Sequence, residues 1–213
     1  TVLSAPSFKV FYLTINCNCG TAALQDARVR QAIEYAIDKD ALCSAVMYGY
    51  ATPVSSLVGP GVFGYDAAPT ANLYDVKKAK SLLSEAGYAD GFEMSIWVQS
   101  SDQIRQEACV IIQSMLEEVG ITVTVEPMDG TVMDDTIVKG GDFAACSSMY
   151  YNLMGDADYV LYSNISPEST SNLSHYSSEA AMEKLLAARS LTDDAARAAV
   201  YAEISAIMAQ DRP

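Results

Sequence analysis

Residues 91–125 constrain the fold more than any other part of this sequence. Phe92, Met94, Ile96 and Val98 alternate with Glu93, Ser95 and Trp97, which is the period of a strand. Polar residues Gln99 to Asp102 follow, and then a helical stripe of Ala108, Ile111, Ile112, Met115 and Val119, closed by Gly120. Ile121, Val123 and Val125 alternate again at once. Strand, helix and strand in so short a run form a βαβ unit, so the two strands lie parallel and the crossover is right-handed. An α/β fold follows, with a sheet that needs helices to cover it.

The rest of the chain supplies those helices. KVFYLTIN over 9–16 reads as a strand. Asp26 caps a helix over 27–37, with Val29, Ala32, Ile33, Ala36 and Ile37 at helical spacing. Asp38 restarts a shorter one through Tyr48, ended by Gly49. Residues 50–74 form a long irregular excursion, too rich in Leu57, Val58, Phe63 and Tyr65 to be a linker. Asp75 caps a helix carrying Val76, Ala79, Leu83 and Ala86, stopped by Gly87. Beyond the βαβ unit come a short helix near 131–139 and a strand near 142–149. A Tyr/Asn/Asp-rich segment (150–162) then leads to a Ser/Asn-rich loop (163–178), and two helices close the chain. With no internal repeat and no splitting linker, residues 1–213 read as one domain.

Composition narrows the function. Thirteen Lys and Arg against 27 Asp and Glu give a formal net charge of −14, a field that repels nucleic acid and anionic lipid. No apolar run reaches a membrane span, and no basic-then-apolar leader opens at Thr1-Val2-Leu3, as expected of a processed chain or an excised piece. The five cysteines (17, 19, 43, 109 and 146) are odd in number and lack metal-site spacing, so they read as unpaired small hydrophobes.

Catalytic motifs are weak. Gly59 to Gly64 fits G-x-G-x-x-G, but Pro60 removes an N–H and no strand–turn–helix surrounds it, so it is set aside. Asp156 and Asp158, with Asp134 and Asp135, match only a fragment of a calcium loop and read as a solvated turn. The sole histidine, His175, has no acidic orienter nearby in sequence. The sequons at Asn164 and Asn172 carry little weight. Tyrosine is more informative, with thirteen against five phenylalanines. Tyr150-Tyr151-Asn152 falls just past a strand, where α/β sheets present ligands. On the residues alone, packing under the next loop and contact with a ligand stay equally open.

Asp26-Ala-Arg-Val-Arg-Gln-Ala-Ile-Glu-Tyr-Ala-Ile-Asp-Lys39 resembles the D-x-R-V-R-Q-A-I-x-Y-A-I-D-K signature of the family 5 extracellular solute-binding proteins of ABC transporters, the oligopeptide/dipeptide/nickel-binding group. Leu13 to Asn16, Gly49 to Pro53, Tyr74 to Lys80, Leu82 to Tyr88 and the Ile111 to Ile121 run are similar to further family segments, in the same order. The resemblance implies one lobe of a type II periplasmic-binding-protein-like fold, a mixed β-sheet flanked by helices. It further implies the second large lobe of a two-lobed protein, stopping at Asp211-Arg212-Pro213 where family members return to the first. A peptide or peptide-like solute would sit in the cleft between lobes and pass to an ABC permease. No catalytic step, cofactor or metal is expected. The lobe would be monomeric by itself, within a periplasmic or extracellular lipoprotein.

The same resemblance gives the site residues. Tyr150 takes the place of a family aromatic, often Trp. Leu153 stands where peptide-binding members place an aspartate for the free amino group, and Gln99 where dipeptide-type members place an arginine for the carboxylate. Tyr150, Tyr151, Asn152 and Gln99 are therefore the expected ligand contacts, rings for stacking and amides for hydrogen bonds. Asp156 and Asp158 are expected to cap the following turn. With both charge anchors replaced, a zwitterionic dipeptide fits poorly, and a longer peptide or an uncharged solute fits better. A nickel- or metal-chelate-binding member and a sensory module are the alternatives, the first disfavoured by a single histidine.

Overall fold

The computed structural model describes residues 7–66, 69 and 72–213, so the Thr1-Val2-Leu3 opening and part of the 50–74 excursion lie outside the described residues. Four strands form one mixed sheet: β1 (Lys9–Ile15), β2 (Phe92–Gln99), β3 (Ile121–Met128) and β4 (Ala145–Tyr151), in the order β1-β4-β2-β3. β2 and β3 run parallel from Phe92↔Ile121 to Gln99↔Met128. The helix between them, α4 (Gln103–Glu118), completes the unit read from the alternation. β4 enters between β1 and β2, parallel to β2 and antiparallel to β1. The ends of β2, β3 and β4 and the start of β1 therefore share one end of the sheet.

One face of the sheet presents Met94, Ile96, Val98, Ile121 and Val123 to α1 (Ala27–Ala36), α3 (Val76–Glu85) and α4, in a continuous buried core. The α4 stripe departs from expectation. Arg105, Cys109, Ile112 and Leu116 are the buried positions of the helix, whereas Ala108, Ile111 and Met115 are only partly covered. The spacing is still helical but rotated, and an arginine takes its first place. Glu117 and Glu118 face solvent. At the mouth of this layer Gly91 has φ +80°, and a Cβ there would lie 1.7 Å from the Gly120 carbonyl oxygen.

Trp97 and Cys146 lie on the opposite face, against Met133 and Ile137 of α5 (Gly130–Val138) and against Phe143. A third cluster joins Val58 and Val62 to α6 (Ala157–Ile165), α7 (Glu179–Ala188) and α8 (Asp194–Asp211). The Gly59–Gly64 stretch is thus a cover loop, with Phe63 bridging Asp156 in parallel and no helix opening on the glycines. The loop expected from residue 163 begins only at Ser166. Asp156 caps a helix whose Val160, Leu161 and Ile165 are buried.

The family-like signature works inside the scaffold. Asp26 caps α1 and pairs with Arg28. Asp38 caps α2 (Lys39–Met47), and Lys39 pairs with Glu34 at 2.6 Å. Arg30 is buried and donates to four carbonyls: Leu24, Gln25, Asp211 and Arg212. That guanidinium ties the last turn of α8 to the start of α1. All five cysteines are free, and burial chiefly pushes the Cys109 thiol up to about 11.

Candidate ligand-binding edge

The register Ile96↔Ala145 and Trp97↔Cys146, carried forward, sets Gln99 beside Ser148. Tyr150 and Tyr151 therefore project past the end of β2. Alternation along β4 sends them to opposite faces. Tyr151 is 47% exposed and stands directly across from Lys9 of β1. Tyr150 is half-buried, donates its hydroxyl to Ser163 Oγ at 3.3 Å, and lies 6.2 Å from the Tyr159 ring. Burial is the main cause that raises its phenol pKa. Phe8, Phe11, Met149, Leu153, Met154 and Tyr159 are also exposed around this end, a concentration of apolar and tyrosine surface.

Gln99 is anchored at one end only. Its Oε1 accepts from Arg105 Nη2 at 2.9 Å, and its amide lies against the start of α5, where a Cβ on Gly130 would meet it at 3.1 Å. Arg105, which sequence reasoning missed, is 4% exposed, and Nε donates to Asp102 and Nη1 to the Ser147 carbonyl, both at 2.8 Å. The cation nearest the expected carboxylate anchor is thus engaged inside the fold. An aspartate three residues before an arginine at a helix start is the signal that could have found it.

Burial works to raise the Asp102 carboxyl pKa, but the Arg105 backbone N–H and guanidinium outweigh it and hold the group below its ordinary 3.8. A depressed folded value contributes stability above the unfolded pKa and loses it as pH falls through the folded one. Asp102→Asn is therefore expected to cost about 1 kcal/mol at pH 7, a figure reduced for partial exposure, with the gap to wild type closing below about pH 4. Urea midpoints measured across pH check this, and a gap that widens in acid contradicts it.

Asn152, expected at the cleft surface, is instead buried at 3% exposure. Its Nδ2 donates to the carbonyls of Leu57 (3.1 Å) and Phe8 (3.3 Å), bracing the end of β4, while Oδ1 is enclosed without a hydrogen-bond partner. Asp156 does cap α6, and it also pairs with Arg197 and accepts from Tyr201 at 3.1 Å. Asp158 instead pairs with Arg189 past the end of α7, at 2.8 Å. Leu153 is 75% exposed.

His175 lies at the other end of the sheet, where Ser174 O accepts from Cys17 N beyond the end of β1. It lines a cavity of about 310 Å³ with Ile137, Leu173 and Tyr176, and its Nε2 is buried without a partner. The side chains of Asn164 and Asn172 are buried and bonded to backbone carbonyls. Among the described residues, no group of three or more His, Cys, Asp or Glu could hold a metal ion, and no helix is long and apolar enough to cross a membrane.

Known proteins share this arrangement. The glutathione-binding protein GsiB of Salmonella choleraesuis is 28% identical over 220 residues, covering 100% of this chain and 42% of that protein. The structure of HbpA2 from Haemophilus parasuis superposes with a TM-score of 0.88 at 29% identity, covering 97% of this chain and 41% of that one. DppA from Helicobacter pylori, an ABC transporter-associated periplasmic binding protein in complex with the peptide STSA, gives 0.87 at 27% identity, covering 97% and 40%. The chain thus spans about two fifths of the length of these relatives. A family profile described as "Bacterial extracellular solute-binding proteins, family 5 Middle" matches residues 1–172. With that match over most of its length, on a four-stranded mixed sheet shared with HbpA2 and DppA, the chain belongs to the family 5 extracellular solute-binding proteins, a family of binding proteins and not of enzymes.

Proposed function

We propose that residues 1–213 are one lobe of a two-lobed binding protein that holds a peptide or peptide-like solute against the exposed end of β2 and β4. A second lobe closes over the solute, and the closed form is presented to an ABC permease from a lipid-anchored position outside the cytoplasm. The observation that carries this reading is the placement of Tyr150, Tyr151 and Gln99 at one open sheet end, Tyr151 on one face and Tyr150 with Gln99 on the other, ringed by exposed apolar side chains. Tyrosines supply stacking surface with a polar tip, and the Gln99 Nε2, which has no partner among the described residues, is free to donate to a carbonyl. Asn152 acts here as the brace that holds Tyr151 in place. The STSA peptide in DppA and the glutathione in the name of GsiB support a peptide-like solute. Closure would be a hinge motion in which the ligand favours the closed population.

Calorimetry on the full chain that the gene encodes tests this, with tetrapeptide pools and reduced glutathione as probes. Heat is expected with at least one probe, and Tyr151→Ala is expected to weaken binding about tenfold while leaving the fold intact. No heat with any peptide probe, alongside binding of a sugar or a metal chelate, overturns the assignment.

A further inference from the structure

Nearly every charge placed at this edge is already matched. Asp102 is held by Arg105, Asp156 by Arg197 and Asp158 by Arg189. Asp129 caps α5 by accepting the Thr131 and Val132 N–H groups. Lys9 differs, because it forms no ion pair with any described carboxylate and acts only at longer range on Asp102, which Arg105 already holds. Its ammonium lies 4.4 Å from the centroid of the Phe11 ring and 5.4 Å from that of Tyr151. The geometry has a plain cause. Lys9 and Phe11 are two apart on β1 and share a face, and Tyr151 stands directly opposite Lys9. Two ring faces therefore orient the long stem and attract the cation without neutralising it.

We propose that Lys9 is the carboxylate subsite of this binding edge. The inference rests on the reading of the edge given above, and it revises the expectation that both charge anchors are replaced in this lobe. In a chain of net charge −14 an approaching carboxylate meets a repelling field, so a site for one needs a local cation that no ion pair occupies. Lys9 is that cation, and it already leans on a tyrosine proposed to contact the solute. β4 lies between β1 and β2, so Lys9 and Gln99 flank it on opposite sides. Alternation sends Lys9 with Tyr151 to one face of the sheet and Gln99 with Tyr150 to the other, so a solute that meets both the ammonium and the amide N–H has to lap over the end of β4. Arg105 cannot take the role, since its guanidinium is buried and engaged by Asp102, Ser147 and Gln99.

The test is calorimetry on the full encoded chain with three tetrapeptide pools. The first lacks Asp and Glu and has free C-termini, the second is its C-terminal amide, and the third is amidated but carries Glu. Wild type is expected to bind the free acid about tenfold tighter than the amide, and Lys9→Arg to keep that preference. Lys9→Met, which retains the stem, is expected to bind both within twofold and to melt as wild type does. Recovery of affinity by the third pool, lost in Lys9→Met, would assign a side-chain carboxylate to the same subsite. A Lys9→Met protein that still prefers the acid tenfold overturns the Lys9 assignment alone. Wild type that binds no pool overturns the reading of the edge, and this subsite with it.

Discussion

Gly91→Ala is expected to lower stability by about 2–5 kcal/mol, read as a fall in the urea midpoint of the folded chain. Two costs add. An L-residue at φ +80° sits in the left-handed region, at about 1–2 kcal/mol. The new Cβ would also lie 1.7 Å from the Gly120 carbonyl oxygen and 2.7 Å from its carbon, so backbone has to move, at about 1–3 kcal/mol. The backbone has little room to yield, because Phe92 and Ile121, the next residues, are already paired in the sheet. Gly87 provides the control: its φ is +90°, but nothing lies within 4 Å of the added Cβ. Gly87→Ala should therefore show the conformational cost alone. Equal losses in the two variants would refute the contact with Gly120.

Arg30→Met is expected to cost about 3 kcal/mol, with faster amide exchange in the last turn of α8. The methionine fills the space of the stem but leaves four carbonyls without their donor, one of them the buried Leu24 oxygen. Two of the four lie at the end of α8, where unsatisfied carbonyls carry partial negative charge. Arg30→Lys should recover only a minor part, since an ammonium lacks the planar fork that reaches several acceptors at once. A loss under about 1 kcal/mol, or unchanged exchange in that turn, would mean that packing alone holds α8 on α1.

The family signature and the binding edge differ in how legible they are, and the reason is physical. Asp26, Asp38 and Asp75 cap helices through bonds to N–H groups two or three residues on, so local spacing exposes them. The alternation of β2 and β3 is equally local. The position of β4 between β1 and β2 is not, because it depends on pairings such as Thr14 with Cys146. The α4 stripe keeps Ile112 and Val119 buried but is rotated, for a related reason. Arginine counts as surface in any periodicity, yet Arg105 is buried because three acceptors meet it there. Tyr150 and Tyr151 stood out by type and place, and the structure puts them on opposite faces of β4. Asn152 had the right chemistry for a ligand, but Phe8 and Leu57, remote in sequence, claim its amide. Lys9 was invisible as a candidate, since its lack of an ion pair and its place over two rings are properties of the folded surface.

The linkage of Arg30 to Asp211 and Arg212 bears on how the chain is made. A ribosome completes α1 long before the carbonyls at the far end of α8 exist, and β1 likewise waits for Ser148 to accept the Thr14 hydroxyl hydrogen bond. Closing such long loops is slow, because chain entropy is lost before the contacts form. For most of its synthesis the nascent polypeptide thus has no finished core to lock, and the start of α1 is pinned only when the last turn of α8 arrives.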